Sequence, residues 1–85
     1  MTITWTLEAW EDYIYWQKHD KKIAKKINEL IKETVRNPFE GIGKPEPLRY
    51  DLSGFWSRRI THEHRLIYTV RDDGLVIISC RYHYD

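Results

Sequence analysis

The chain is read as an α+β fold, with two N-terminal helices packed on one face of a mostly antiparallel sheet. Two observations predict it. Up to residue 37 apolar residues recur every three to four positions, and after residue 47 they alternate. The two regimes are separated at residues 38–47 by a stretch holding all three prolines and two of the four glycines. With 85 residues the chain is expected to form one domain over 1–85. So short a chain buries only about 60% of its unfolded surface. Four Trp, six Tyr and two Phe compensate with large ring areas.

Each element has its own signal. Ile3-Thr4-Trp5 reads as a short strand. Thr6 can cap a helix over about Leu7 to Lys18, with Trp10, Tyr13, Ile14 and Gln17 along one stripe. Asp20 caps a second helix, in which Ile23, Ala24, Ile27, Leu30, Ile31, Thr34 and Val35 share a face and Asn37-Pro38 forms the stop. Lys21, Lys22, Lys25, Glu29, Lys32 and Glu33 make its opposite face, a solvated surface that a partner could also meet. Strands are expected near 48–52, 55–61, 65–71 and 75–84.

Register follows from the turns. Asp72-Asp73-Gly74 fits a three-residue hairpin loop with glycine in the left-handed position. Arg71 then pairs with Leu75, Ile67 with Ser79 and Arg65 with Arg81. Leu66, Tyr68, Val70, Val76, Ile78, Cys80 and Tyr82 form the core face. Arg65, Ile67, Thr69, Ile77, Ser79, Arg81 and His83 form the other. A loop at His62-Glu63-His64 pairs Ile60 with Leu66 and brings Ser57, Arg59 and Thr61 beside Arg65. The helices should cover the core face and leave the arginine–histidine face open.

Composition narrows the function less than charge placement does. Net charge is +1, yet six of seven lysines precede residue 40 and six of seven arginines follow it. Arginine forks match phosphate oxygens in pairs, whereas lysine is a hydrated point charge. Arg59, Arg65 and Arg81 on neighbouring strands would repel one another unless an anion sat between them, which suits a phosphate. The plainer reading is local ion pairing with Glu63, Asp51 or Asp85. His83 can donate or accept a proton near neutral pH. Glu46, between Pro45 and Pro47, is a carboxylate on a stiff segment; taken in isolation, a rigid linker with a solvated glutamate is the better reading of it.

Other classes find no support. One cysteine, Cys80, forms no internal disulfide and fits a reducing cytoplasm. No apolar run nears the roughly 20 residues of a bilayer span, and no signal-peptide pattern appears. Histidines and cysteine lack zinc-ligand spacing, so neither metal nor cofactor is expected. His19, His62 and His64 carry little information, the last two reading as turn residues. No glycine-rich phosphate loop or Ser-His-Asp arrangement is present.

Several motifs together resemble one family. They are Pro38-Phe39-Glu40-Gly41, Gly43-Lys44-Pro45-Glu46-Pro47-Leu48, the run Leu52-Ser53-Gly54-Phe55-Trp56-Ser57-Arg58-Arg59-Ile60, and Cys80-Arg81-Tyr82-His83-Tyr84. Trp5, Trp10, Tyr13, Trp16 and Lys26-Ile27-Asn28-Glu29-Leu30-Ile31 extend the match over essentially the whole chain. The sequence is similar to the YoeB/Txe toxins of bacterial toxin–antitoxin pairs.

The resemblance implies a RelE-like fold and a ribosome-dependent endoribonuclease that cuts messenger RNA in the ribosomal A site. It implies an antitoxin partner of the Phd/YefM family. By matching motif, Glu46 corresponds to the general base, His83 to the general acid and Arg65 to the transition-state arginine. Arg59 corresponds to a phosphate-contacting neighbour and Tyr84 to a substrate-orienting tyrosine. Arg49 stands where lysine is common in the family and keeps the positive charge, and Arg81 is grouped with it as an RNA contact. Asp85 lies one residue past His83-Tyr84 and adds a carboxylate there. The lysine-rich helix face, Lys21, Lys22 and Lys25, is the expected ribosome contact, and the aromatic-rich first helix allows a homodimer surface. Two rivals stay open: a non-catalytic ribosome- or RNA-binding module, and a gyrase-poisoning toxin of the same fold class.

Overall fold

The computed structural model describes residues 1–82; His83, Tyr84 and Asp85 lie outside the described residues. The element order is β1 (Thr2–Trp5), α1 (Leu7–His19), α2 (Lys21–Arg36), β2 (Glu46–Pro47), a 3-10 turn at Tyr50–Leu52, β3 (Trp56–Arg59), β4 (Arg65–Arg71) and β5 (Gly74–Ser79). The sheet runs β1-β5-β4-β3-β2, and only the β1–β5 pair is parallel. The expected α+β architecture is therefore present.

The helices start where their capping side chains stand. The Thr6 hydroxyl accepts from the Ala9 amide at 3.1 Å and donates to the Ile78 carbonyl at 2.7 Å, so one cap also fastens α1 to β5. The Asp20 carboxylate accepts from the Lys22 and Ile23 amides. Along α2, Ala24, Ile27, Leu30, Ile31 and Thr34 are buried, as their spacing predicts. On α1 the predicted stripe is displaced. Ala9 and Trp16 are buried, while Trp10 is 46% exposed and Gln17 is exposed. Tyr13 is the shared member, half-buried and donating to Asn28 Oδ1 at 2.6 Å across the helix pair.

Register departs from expectation at both hairpins, with opposite consequences. Asp72-Asp73 is a two-residue turn: Arg71 pairs with Gly74, and Asp72, not Gly74, takes the positive φ of 53°. Gly74 serves a close approach instead, since a Cβ there would stand 2.7 Å from Thr2 Oγ1 on β1. The shorter turn slips β5 by one residue, so Leu75 and Ile77, rather than Val76 and Ile78, face the core opposite Val70 and Tyr68. A bulge at Ile78 then restores the predicted pairing of Ile67 with Ser79 and leaves Cys80 in the core.

At the other hairpin the turn is longer. Arg58, not Ile60, pairs with Leu66, and Arg59 pairs with Arg65. A two-residue shift preserves the faces. The predicted strand at 48–52 is replaced by β2 at Glu46–Pro47 and the 3-10 turn, where Tyr50 has φ 58°. The core of Trp16, Ile27, Leu30, Leu66, Tyr68, Leu75 and Ile77 lies between sheet and helices. The opposite face is not bare, because Ile67, Thr69 and Ser79 on it are buried too.

Candidate active site

On the face away from the helices, β-pairing places Glu46, Ser57, Ile67 and Ser79 in one row across the sheet. One step along the same face, Arg59 stands directly opposite Arg65. Strands are about 4.8 Å apart, so Glu46 lies two strand spacings, roughly 10 Å, to one side of the Arg65 strand. On the other side the Arg65 amide donates to the Tyr82 carbonyl at 2.9 Å. The residue after Tyr82 is His83. The two arginines thus sit between the Glu46 strand and the chain entering His83.

Glu46 is exposed on the sheet edge, where flanking prolines cost no ladder bond. The loop leading to it is clamped from inside by Arg58, a residue that sequence reasoning passed over. Arg58 is fully buried. Its Nε donates to Tyr68 Oη at 3.2 Å and Nη1 to the Ile42 carbonyl at 3.0 Å. Nη2 donates to the Glu40 carbonyl at 2.8 Å and to the carbonyl of Asn37. Asn37 is the C-cap of α2, where unpaired carbonyls and the helix dipole favour a cation. Tyr68 Oη donates to the Pro38 carbonyl at 2.6 Å, completing the clamp, and burial pushes the phenol pKa up. Gly43 lets the loop close on this support. Its φ is 82°, its carbonyl accepts from the Arg59 amide at 2.6 Å, and a Cβ there would meet Leu30 Cδ2 at 2.9 Å. The only sequence signal for Arg58 was its place on the core side of an alternating strand.

Arg65 is half-buried and its Nη1 donates to the carbonyls of Thr61, His62 and His64 at 2.7, 3.1 and 3.1 Å. Those bonds tie down one end of the guanidinium and fix its orientation. Arg59 is exposed. Two cations across a strand pair, one of them anchored, form a surface suited to an anion with paired oxygens.

Arg81 does not join them, which corrects the expected pairing with Arg65. Regular β5 ends at Ser79, and the Arg81 guanidinium lies 3.6 Å from the Tyr15 ring centroid on α1. The Tyr82 ring is 4.9 Å from it. Asp12, on the same helix, accepts from the Cys80 amide at 3.0 Å. Burial, with Glu8 and Glu11 nearby, raises the Asp12 pKa despite that bond and Arg81. Cys80 is fully buried, and burial with the Asp12 charge pushes its thiol up to about 12.

Arg49 is exposed beside the 3-10 turn, and Lys21, Lys22 and Lys25 are exposed on the first turns of α2. His83 and Tyr84 fall outside the described residues. His64, set aside as a turn residue, accepts from the Tyr82 amide through Nδ1 at 2.8 Å. Nothing in the pattern around position 64 pointed to that bond, because it depends on where the chain passes after β5.

Comparison with known proteins gives one answer. The chain is 68% identical over 84 residues to Toxin YoeB of Escherichia coli K12, covering 99% of this chain and 100% of that protein. It is 60% identical to Toxin YoeB of Synechocystis, covering 99% and 98%. Among solved structures it is similar to a YoeB/ParE toxin from Agrobacterium tumefaciens, with TM-score 0.97 and 51% identity over 99% of this chain and 100% of that one. It is also similar to a chain of the YoeB-YefM complex from Staphylococcus aureus, with TM-score 0.91 and 56% identity over 99% and 98%. A chain of the E. coli DinJ-YafQ complex, at 22% identity and TM-score 0.80 over 95% and 91%, shares the fold. The family described as the YoeB-like toxin of bacterial type II toxin-antitoxin systems matches residues 5–84, and this chain belongs to it.

Proposed function

We propose that this toxin is a ribosome-dependent messenger RNA endoribonuclease acting in the ribosomal A site by metal-independent acid–base catalysis. The observation that carries the reading is the opposed pair Arg59–Arg65, with Glu46 on one flank and the chain entering His83 on the other. Glu46 takes the proton of the 2′-hydroxyl as its oxygen bonds to phosphorus. Arg65 and Arg59 stabilise the phosphorane charge. His83 gives its proton to the 5′-oxygen as the P–O5′ bond breaks. Tyr84 orients the substrate, and Arg49 contacts phosphate. The products are a 2′,3′-cyclic phosphate and a 5′-hydroxyl end.

Ribosome dependence has a physical rationale. Glu46 and Arg59 are exposed, so the surface around them offers little to fix a flexible RNA. A message held in a bent path by the ribosome brings that orientation with it, worth several kcal/mol or more. Lys21, Lys22 and Lys25 contact ribosomal RNA phosphates on this reading. Changing all three to Glu weakens ribosome binding and flattens its salt dependence; unchanged binding would refute the assignment. The S. aureus relative crystallised with YefM supports a Phd/YefM-type antitoxin as partner, and a relative solved as a YoeB dimer supports a homodimer. The antitoxin inhibits by covering the Arg59–Arg65 face with acidic side chains or by displacing the terminal residues. The setting is the cytoplasm, where ribosomes and message meet. Among the described residues no helix is long and apolar enough to cross a membrane.

The test is primer extension on a defined message in a purified translation system, with wild type beside His83→Ala. New 5′ ends at A-site codons, absent without ribosomes and lost in the variant, are expected. Arrested translation without new ends would favour a binding module, and arrested replication a gyrase poison. A message carrying a 2′-deoxy nucleotide at the scissile position should resist cleavage.

A further inference from the structure

Past Ser79 the chain leaves the ladder, yet each backbone group from Cys80 to Tyr82 that bonds does so to a chosen partner. The Cys80 amide donates to Asp12 Oδ2 at 3.0 Å, and its carbonyl accepts from the Trp16 indole Nε1 at 2.9 Å. The Tyr82 amide donates to His64 Nδ1 at 2.8 Å, and its carbonyl accepts from the Arg65 amide. Three of these four partners are side chains, from α1 and from the 60–64 loop. Backbone groups that leave a sheet are satisfied by other backbone, by side chains or by water. Side-chain partners here fix the path by residue identity.

The supports are themselves rigid. Trp16 is buried, and its ring meets the His64 ring edge-on at 4.7 Å, so one side chain touches both mounts. The His64 amide donates to Thr61 Oγ1, and its carbonyl accepts from the Ile60 amide and Arg65 Nη1. Arg65, opposite Arg59, and Tyr82, which precedes His83, are therefore both held by His64. In this bond Nδ1 is the acceptor, which leaves Nε2 as the ring nitrogen able to donate. Tyr82 takes φ 62°, a left-handed conformation costly for a tyrosine and maintained only where surroundings enforce it.

We propose that His64 and Asp12 are positioning residues for RNA cleavage, setting through the Tyr82 and Cys80 amides the path of the chain up to His83. This inference rests on the cleavage reading above. Neither residue touches the substrate in this scheme.

The experiment compares His64→Phe, which keeps a ring but removes the acceptor, with His64→Asn, whose Oδ1 stands near the Nδ1 position. On programmed ribosomes His64→Phe is expected to lower kcat about 10- to 100-fold, the cost of a misplaced catalytic group, with KM nearly unchanged. His64→Asn recovers most of the lost rate. Exchange of the Tyr82 amide with solvent deuterium is faster in His64→Phe and slow again in His64→Asn. Should His64→Phe fail to fold, Asp12→Ala against Asp12→Asn makes the same comparison at Cys80. Equal kcat in acceptor-free and acceptor-bearing variants, with wild type active, overturns the positioning role alone. A wild-type chain that cuts nothing on ribosomes overturns the cleavage reading and this role with it.

Discussion

Arg58 and Tyr68 meet in the core, the guanidinium Nε donating to the phenol oxygen at 3.2 Å while that oxygen donates onward to the Pro38 carbonyl at 2.6 Å. Both side chains are fully buried. They lie two pairing steps apart on β3 and β4, and between them they satisfy carbonyls spread over residues 37–42. The loop that ends at Glu46 is thus anchored to the sheet by a cation and a phenol.

Removing the phenol leaves the buried Arg58 Nε and the partly buried Pro38 carbonyl without this partner. Tyr68→Phe is expected to cost about 1–3 kcal/mol. Arg58→Ala leaves three partly buried carbonyls without their donor and empties a large volume, with a loss of about 3–5 kcal/mol. Urea denaturation followed by tryptophan fluorescence measures both. A change under 0.5 kcal/mol, roughly the surface-substitution range, in Arg58→Ala would contradict the clamp.

Gly43 tests the same loop through its backbone. Its φ of 82° and the close approach of Leu30 and the Arg59 carbonyl leave no room for a side chain. Gly43→Ala should destabilise by more than about 1 kcal/mol. Gly54, also at positive φ but with open space at its Cβ, is the control: Gly54→Ala carries the conformational cost without the clash. Comparable melting temperatures for the two variants would show that the loop yields.

Legibility in the sequence followed the range of the interaction. Both helix caps are local hydrogen bonds between residues two or three apart, and Thr6 and Asp20 declared them. The α2 face repeats over sixteen residues and is hard to misread. The β5 face was misassigned because its parity hangs on one turn residue, and the turn is set by β1 closing on Gly74 from the far end of the chain. Arg59 and Arg65 came out on one face because a two-residue shift cannot change sides. Arg58 and His64 were missed for a single reason: they bond backbone carbonyls or an amide 16 to 21 residues away, and backbone atoms leave no trace in composition.

Cys80 is expected to be inert in the folded toxin. Its thiol pKa is pushed up to about 12, so thiolate is scarce near neutral pH, and the buried Sγ donates to the Ala9 carbonyl at 3.7 Å. Iodoacetamide at pH 8 should label it only as fast as the chain unfolds. Labelling at the rate of a free thiol, in a sample with intact near-ultraviolet dichroism, would contradict its placement.

Asp12 gives a pH dependence of definite sign. Burial, aided by Glu8 and Glu11, raises its pKa above 3.8, so the folded chain holds a proton there more readily than the unfolded one. Its contribution is fully present below the unfolded value and is lost as pH rises through the folded one. Asp12→Asn keeps an acceptor for the Cys80 amide and removes the charge. The variant should therefore gain stability relative to wild type as pH rises from 3 to 6, seen in urea midpoints across that range. A gap that narrows with rising pH would reverse the assignment.

The Arg59–Arg65 pair predicts a conflict between stability and activity. Like charges opposite each other on adjacent strands cost about 0.2–1 kcal/mol, and nothing in the strand ladder needs Arg59 to be basic. Arg59→Gln should therefore raise the melting temperature at low salt while lowering the cleavage proposed above, with the stability gain shrinking as salt screens the pair. Arg65→Gln behaves differently, because its guanidinium also closes the 61–64 loop through three carbonyls. It should lose stability and activity together, and salt should not restore either. If both variants were stabilised equally, the two arginines would be interchangeable surface charges. The asymmetry between an anchored and an exposed cation would then have no energetic meaning.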